Sequence, residues 1–362
     1  MSVNRYLALG IGAALGALGV AASARAATIT TFGVPGALGT YAYSINASGT
    51  IAGYYQDVNF LVHGFVRAVD GTITTFDAPG AGTAAPACTC ALSISQTGSI
   101  AGDYTDANSV HHGFLRTAAG AFTRFESPHA GSGSGQGTLA YSINAAGAIA
   151  GYFTDANGVN HGFLRGTNGA ITEFNVAAAG TSAGQGTTAV SINPTGAITG
   201  FYIDTNLVTH GFLRSESGAI TTIDAPDAGT AGYQGTTAWS INPTGAITGY
   251  FREANNVGGG FVRAADGTII EFQIARSPSG SQGTFPSGIN PAGAVAGDWT
   301  DKNNVSHGFL RTSAGSVTSF DVPGASTFNG QGTYPADLNS SGDITGFYFD
   351  ASSVVYGFVR TP

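Results

Sequence analysis

The chain contains little charge and almost no lysine. Asp, Glu, Lys and Arg together make up 9% of its 362 residues, and Lys302 is the single lysine. With 13 basic and 21 acidic residues, the formal net charge is −8 at pH 7. A protein that binds nucleic acid needs a basic surface against the phosphates. The composition therefore excludes nucleic acid as a partner.

Long apolar runs are also absent, except near the N-terminus. A run rich in Ala, Leu and Gly follows Arg5 and covers residues 6–22. At about 17 residues it is short for a membrane anchor, which is the alternative interpretation. Ala24-Arg25-Ala26 supplies the small residues that a signal peptidase recognises. We predict that residues 1–26 are a cleaved signal peptide. Residues 27–362 are then exported, to the periplasm or outside the cell, with no membrane span after cleavage.

Cysteine is nearly absent too, since Cys88 and Cys90 are the only two. The oxidising environment of an exported protein permits a disulfide between them, although a ring closed over Cys-x-Cys is tight. No second pair of Cys or His residues stands nearby in the sequence to complete four metal ligands. We therefore expect no metal site and no cofactor.

Glycine, in contrast, is abundant and follows a period. The chain has 56 glycines, which together with the low charge would indicate disorder if they were not periodic. A His-Gly-Phe triplet recurs with a spacing of 49 or, once, 48 residues, and Gly259 and Tyr356 replace the His in two copies. The triplets begin at residues 63, 112, 161, 210, 259, 307 and 356. A fixed period of this length is typical of propellers and solenoids.

Each repeat contains four strand-like runs separated by turn signals. In residues 137–176 the first run ends in an Asn-x-x-Gly turn and the second contains Gly151. The third run is His-Gly-Phe-Leu-Arg, and the fourth alternates apolar and polar residues. No segment of the mature chain has sustained helical periodicity. The pattern predicts an all-β protein built from four-stranded units.

The two ends of the mature chain distinguish a closed ring from an open stack. Residues 27–37 match the fourth run, as at residues 71–81, whereas the C-terminal repeat stops after its third run. The N-terminal strand can therefore complete the last unit and remove an exposed strand edge. We predict a single seven-bladed β-propeller of four-stranded blades, closed by the N-terminal strand in the last blade, and we expect a monomer.

The repeated phrases resemble those of the bacterial extracellular HAF-repeat proteins. The shared features are the Ser-Ile-Asn-x-x-Gly turn, the Gly-Tyr that follows it and the His-Gly-Phe-Leu-Arg run, and they cover essentially the whole mature chain. This chain has Gly where that family has Ala in its His-Ala-Phe triplet, and Arg where an aromatic residue usually follows. The resemblance implies an exported, propeller-like protein. It brings no established activity and no catalytic residues.

An acidic residue stands six positions before each recurring histidine. A serine on the first run accompanies four of these pairs, and Ser, His and Asp together can form a hydrolase triad. Identical complete sets on separate blades, without a Gly-x-Ser-x-Gly elbow, argue against one activated nucleophile. We predict that the residues are structural, with each His hydrogen-bonded to the Asp of the adjoining turn, and that none is catalytic. The pairs are Asp57/His63, Asp106/His112, Asp155/His161, Asp204/His210 and Asp301/His307.

An arginine follows the Phe of the triplet by two positions in every repeat. One interpretation is a ring of cations that captures an anionic ligand. The other, which the presence of Arg in all seven repeats favours, is a structural residue whose donors tie turn carbonyls or carboxylates together in each blade. The arginines are Arg67, Arg116, Arg165, Arg214, Arg263, Arg311 and Arg360.

The connections from the fourth run to the next first run are long, polar and poor in charge. Long loops on one face of a rigid scaffold often bind ligands, and this composition suits a glycan or a protein partner. The alternative is that the recurring Gln-Gly-Thr only forms the turn that begins the first strand. The candidate binding residues are Gln136, Gln185, Gln234, Gln282, Gln331, Tyr233 and Tyr334.

Three functions remain open. The first is an exported, non-enzymatic binding or scaffold protein, multivalent for carbohydrate or protein through the long-loop face. The second is a secreted hydrolase or lyase with its site at the channel mouth, and the third is a structural component of an envelope or matrix. An enzyme should break the repeat symmetry with an acid/base pair on one sector. Because irregular residues such as His129, Arg252 and Lys302 are scattered over different repeats, we favour the binding protein.

Overall fold

The computed structural model of the protein describes residues 27–274 and 282–362. Within these ranges the chain forms 28 β-strands and no helix. Accordingly, this part of the chain contains no helix with the length and apolarity to cross a membrane. The predicted signal peptide, residues 1–26, lies outside the described residues. The prediction of an all-β protein made of repeated four-stranded units is confirmed.

The strands form seven units of four. The first strands are β2 (Gly39–Ile45), β6 (Thr89–Ile94), β10 (Gly137–Ile143), β14 (Gly186–Ile192), β18 (Gly235–Ile241), β22 (Gly283–Ile289) and β26 (Thr333–Leu338). The second strands are β3 (Ile51–Gln56), β7 (Ile100–Thr105), β11 (Ile149–Thr154), β15 (Ile198–Ile203), β19 (Ile247–Arg252), β23 (Val295–Thr300) and β27 (Ile344–Phe349). The third strands are β4 (Val62–Arg67), β8 (His111–Arg116), β12 (Asn160–Arg165), β16 (Thr209–Arg214), β20 (Gly258–Arg263), β24 (Ser306–Arg311) and β28 (Val355–Thr361). The fourth strands are β5 (Ile73–Phe76), β9 (Phe122–Phe125), β13 (Ile171–Phe174), β17 (Ile220–Ile223), β21 (Ile269–Phe272), β25 (Val317–Phe320) and, from the N-terminal end, β1 (Thr28–Phe32).

The strand beside β28 is β1. The two pair antiparallel over their length, from Thr28 opposite Thr361 to Phe32 opposite Gly357. Consecutive strands within the other units are also antiparallel, as between β10 and β11 and between β11 and β12. Every unit described therefore has the same up-and-down order of four strands.

The core lies between the sheets of neighbouring units. The Phe of each triplet is almost completely buried, as in Phe163 and Phe212, and packs with apolar residues of the adjacent unit. The Gly before it is required by this packing: a Cβ on Gly162 would lie 2.7 Å from the Phe174 ring. The ring of the fourth strand thus occupies the space that an Ala side chain would need.

Hydrogen bonds between turns connect the units in sequence. In six of the seven units an Asn begins the turn that follows the first strand, accepts backbone N–H groups of its own turn and donates its Nδ2 to the turn of the next unit, whereas the second unit has Ser95 in its place. Asn144 donates to the carbonyl of Asn193, and Asn193 donates to that of Asn242. The last unit continues the pattern to the first, because Asn339 Nδ2 donates to the carbonyl oxygen of Asn46 at 3.1 Å.

Candidate functional site

A β-bulge in each first strand places one side chain at a common cavity. The register shifts between Ala140 and Ser142, so that Tyr141 has no cross-strand partner, and the same shift recurs in all seven first strands. A bulge turns a side chain out of the regular alternation. All seven bulged residues line one cavity of about 580 Å³. They are Tyr43, Leu92, Tyr141, Val190, Trp239, Ser287 and Ala336.

Aromatic rings cover much of the wall of this central cavity. Tyr43 stacks on Tyr54 with ring centroids 5.1 Å apart, and the Tyr54 hydroxyl donates to that of Tyr43 at 3.3 Å. Tyr334 stacks on Phe347 at 5.2 Å. Burial raises the pKa of the Tyr54 phenol well above its usual value, so that this hydroxyl stays protonated. The wall therefore offers flat apolar faces bordered by neutral hydroxyl groups.

Three carboxyl groups also line the cavity. Asp103 is 4% exposed and lies 2.7 Å from the Nδ1 of His111. Burial raises the pKa of Asp298 to about 7 and that of Asp337 to about 6. Among the described residues of the lining there is no Arg or Lys, and His111 is the one group able to become cationic. The cavity is consequently unsuited to an anionic ligand.

The glutamines predicted as ligand groups face their own loops. Gln185 and Gln234 are 6% and 7% exposed. The Gln234 side chain accepts the N–H of Ala231 and donates to the carbonyl of Ala254. Gln136 makes the corresponding bonds to Gly133 and Ala156. The Oε1 of Gln185 accepts the N–H of Ser182, and the Nε2 of Gln331 donates to the hydroxyl of Ser353. The fifth glutamine, Gln282, is 3% exposed. Four of the five amide groups are thus hydrogen-bonded to the loops around them.

The two tyrosines predicted beside them are in different places. Tyr233 is 77% exposed on the long-loop face. Tyr334 belongs to β26 and lines the central cavity. Its hydroxyl donates to the carbonyl of Gly330 at 2.9 Å, which fixes the ring. Only Tyr334 of the predicted binding residues is therefore part of the cavity.

The recurring histidines make a different main contact from the one predicted. His63 Nδ1 lies 2.7 Å from the carboxylate of Asp77, 14 residues later, whereas its Nε2 is 3.6 Å from Asp57. The same Nδ1 contact recurs in four other units, from His112 to Glu126, His161 to Asn175, His210 to Asp224 and His307 to Asp321. The Nε2 atoms of these histidines lie 3.4 to 3.8 Å from the predicted partners Asp106, Asp155, Asp204 and Asp301.

The acidic residue before each histidine mainly serves its own turn. Asp106 Oδ1 accepts the backbone N–H groups of Asn108 and Val110, and the bond from Val110 lowers the pKa of this carboxyl. The first-run serine is engaged elsewhere, since Ser142 Oγ accepts the N–H of Ile192 in the next unit. Ser, His and Asp therefore do not assemble into a triad.

The arginines stack on aromatic rings of the preceding unit. The guanidinium of Arg214 lies 5.0 Å from the centre of the Phe174 ring, and Arg67 lies 4.8 Å from Phe32 of β1. The predicted contact to a turn carbonyl is present but long, as from Arg214 to Ser215 at 3.4 Å. Arg116, Arg165, Arg311 and Arg360 stack on Phe76, Phe125, Phe272 and Phe320, and Arg263 donates to the carbonyl of Ala264. The main role of the guanidinium is thus packing between units.

Four cavity residues escaped the sequence reasoning: Asp103, His111, Asp298 and Asp337. Each occupies a repeat position at which most other units have a different residue, as Asp337 replaces the first-strand serine. Aligning the residue after the second-run Gly would have found Asp103 and Asp298 among Tyr and Phe. Residues that break the repeat are therefore not all scattered over the molecule, because these four line one cavity. Cys88 and Cys90 form a disulfide and line it too.

No protein-family model and no curated protein sequence matches the chain. Among solved structures, it is similar to the BP39L lectin from Burkholderia pseudomallei, with 9% identity over 90% of this chain and 98% of that one and a TM-score of 0.57. AofleA from Arthrobotrys oligospora matches with 13% identity over 92% and 86% of the two chains at a TM-score of 0.42. The Aleuria aurantia lectin, described as a six-bladed β-propeller, matches with 13% identity over 88% and 91% at 0.42. At 9% identity, the similarity to the BP39L lectin is a similarity of fold alone.

Proposed function

We propose that residues 27–362 form an exported, closed seven-bladed β-propeller that binds a carbohydrate in the central cavity. Closure is supported by the pairing of β1 with β28 and by the bond from Asn339 to Asn46. The seven bulged residues that share one cavity support the blade count. Export is supported by the N-terminal sequence and by the resemblance to HAF-repeat proteins.

The composition of the cavity wall carries the proposal. A pyranose ring has apolar C–H faces, which pack on aromatic rings, and a rim of hydroxyl groups, which donate to carboxylates and accept from phenols. Trp239, Tyr43 and Tyr334 supply rings, while Asp103 and Asp298 supply acceptors. The volume of about 580 Å³ lies within the range of small-ligand sites, about 300–1,000 Å³. The ligand is a neutral or cationic sugar of a few units, because the wall has carboxyl groups and no fixed cation.

A single site follows from the same geometry. The glutamines that recur on the long-loop face are buried or bonded within their loops, so that equivalent sites on successive blades would lack those polar groups. The cavity, in contrast, has six different residue types at the seven bulges, since only Tyr43 and Tyr141 are alike. Binding with a stoichiometry near one is expected. The fold likeness to a lectin is in keeping with this function.

The test is a glycan array probed with the mature protein, followed by calorimetry with the strongest neutral oligosaccharide. We expect a stoichiometry of one and loss of about tenfold or more in affinity for Trp239→Ala, since stacking of an aromatic ring is worth about 0.5–1.5 kcal/mol beyond its buried area. Tyr233→Ala is the matched control, because that ring is exposed on a loop and outside the cavity. Several equivalent sites, weakened by changing Gln185 and Gln234 together, would replace this proposal with the multivalent one.

A hydrolase or lyase that cleaves the bound sugar is the second candidate, and the carboxyl groups favour it. Asp298 retains its proton up to about pH 7, as a general acid requires, whereas Asp103 is bonded to His111. Glycoside cleavage uses one protonated and one ionised carboxyl group, and this cavity has carboxyl groups in different environments. Release of reducing ends from the array ligand, abolished by Asp298→Asn while binding persists, would move the protein into this class.

A further inference from the structure

The second unit departs from the repeat at four positions on the central cavity. Cys88 stands where all six other units have Gly, and Cys90 and His111 have no counterpart of the same type in any other unit. Asp103 shares its position only with Asp298. All four of these residues line the cavity. Four departures of a single unit therefore lie on one surface.

The register of the second unit brings these residues to one face of its sheet. Cys90 lies opposite Asp103 on the antiparallel pair β6–β7, and Thr105 lies opposite His111 on β7–β8. The backbone N–H of Cys88 donates to the Thr105 Oγ1 at 2.9 Å, which places Cys88 in the same cross-strand row as His111. Directly opposite residues project from the same face of a sheet. The disulfide and the Asp–His pair are thus neighbours on the cavity wall.

The Asp–His pair is arranged to accept a proton. Asp103 is buried, and its carboxylate orients the ring of His111 through Nδ1 at 2.7 Å. When Nδ1–H donates to the carboxylate, the Nε2 of a neutral imidazole is an acceptor. The His111 side chain remains 26% exposed, so that a molecule in the cavity can contact it. An oriented, accessible imidazole beside a disulfide is a general base placed for thiol chemistry.

We propose that the Cys88–Cys90 disulfide oxidises small thiols that enter the central cavity, with His111 as the general base. His111 Nε2 takes the proton of the incoming thiol, and the thiolate attacks one sulfur of the disulfide. A mixed disulfide forms as the Cys88–Cys90 bond breaks, and the departing cysteine thiolate takes the proton from His111. A second thiol gives its proton to His111 and attacks the substrate sulfur of the mixed disulfide. The substrate leaves as an oxidised disulfide, and the second cysteine departs as a thiolate that takes this proton. Two electrons pass from the two thiols to the cysteines, which end as free thiols.

2-Mercaptoethanol is the probe, because it fits the cavity of about 580 Å³ and carries no charge for the carboxyl groups of the wall to repel. The oxidised protein is mixed with 2-mercaptoethanol, quenched with acid and measured by mass spectrometry for the mixed disulfide. At pH 6.5 we expect His111→Ala to react about 10²-fold more slowly than the wild type, the lower range of general-base effects. The difference should narrow towards pH 9, where the thiolate forms without a base. Asp103→Asn should fall between the two.

Thr209→Ala is the matched control, because Thr209 occupies the position of His111 in the fourth unit. It should react as the wild type does, and added imidazole should restore part of the rate to His111→Ala. The proposal is overturned if no mixed disulfide forms, or if His111→Ala and the wild type react equally at pH 6.5. Thermal melts establish that each variant is folded. The glycan-binding experiment is separate, so either proposal can fail alone.

Discussion

Asp337 of the last unit accepts two hydrogen bonds from the first unit. Its Oδ2 lies 3.0 Å from the hydroxyl of Ser44 and 3.0 Å from the backbone nitrogen of Ile45. At other junctions the acceptor for the Ile N–H is a serine hydroxyl, as where Ser191 accepts from Ile241 at 3.3 Å. The carboxylate thus takes the place of the repeated serine where the two ends of the chain meet, and gains a second bond there.

Asp337→Ala should lower the free energy of unfolding by about 1–3 kcal/mol, because it leaves a buried N–H and hydroxyl without an acceptor. Asp337→Ser, which introduces the residue of the other units, should recover much of the loss. Denaturation by urea measures both. Ser191→Ala is the comparison at an interior junction, where one weaker bond is removed. If Asp337→Ala is no more harmful than Ser191→Ala, the junction between the ends is not the one described.

Stability should decrease between about pH 4 and pH 7 because of Asp298. Burial raises its pKa from 3.8 to about 7 in the folded protein, so the folded state binds more protons than the unfolded state across this interval. The slope is at most about 1.4 kcal/mol per pH unit for one proton, and it vanishes above the folded pKa. Asp298→Asn should reduce this loss and be more stable than the wild type at pH 8. Urea denaturation of both proteins at pH 5 and pH 8 measures their difference in free energy of unfolding. A wild type that gains stability relative to Asp298→Asn between pH 5 and pH 8 would contradict the prediction.

Phe60→Gly should stabilise the protein. Phe60 is 61% exposed and has a φ of 65° at the end of the turn between β3 and β4. This conformation destabilises a residue that has a Cβ by about 1–2 kcal/mol. Glycine avoids that cost, but it loses more conformational freedom on folding, which offsets about 0.5–1 kcal/mol of the gain. The expected gain is therefore up to about 1.5 kcal/mol in urea denaturation. Phe60→Ala removes the same ring but keeps the Cβ, and should show no such gain. Equal stability of the two variants would show that the ring, and not the backbone, matters.

Removal of residues 27–36 should leave the edge of β28 exposed and remove Phe32 from beneath Arg67. We expect a lower melting temperature and association of the truncated protein through the open edge. Sedimentation velocity detects the association. A synthetic peptide of residues 27–36 should restore the monomer when added in excess. A truncated protein that melts as the full chain does would mean that β1 is dispensable.

The period of the sequence was sufficient to predict the strands and their grouping, because turn residues and alternating runs recur in every unit. The main partner of His63 is Asp77, whereas the predicted partner Asp57 lies further away, at 3.6 Å. In the antiparallel pair β4–β5, Gly64 lies opposite Phe76, so the next residues along, His63 and Asp77, are neighbours. That contact follows from register, which a repeat spacing alone does not supply.

The site was harder to predict than the fold. A regular strand would direct Tyr43 and Ser44 to opposite faces, but the bulge breaks this alternation, and both residues line the cavity. Nothing in the alternation of apolar and polar residues marks a bulge. Gln185 could equally have faced solvent, because its burial depends on the path of the loop around it.

The most direct test of binding in the central cavity uses the two tryptophans of the chain. Trp239 is a bulged residue of the cavity wall, whereas Trp299 stacks on His307 at 4.6 Å and donates to Ser319. With 5-fluorotryptophan in both positions, fluorine NMR reports on each during titration with the neutral oligosaccharide selected by the array. Binding in the cavity predicts that the Trp239 resonance shifts in proportion to the calorimetric saturation while that of Trp299 stays in place. Saturation with the Trp239 resonance unmoved would contradict it.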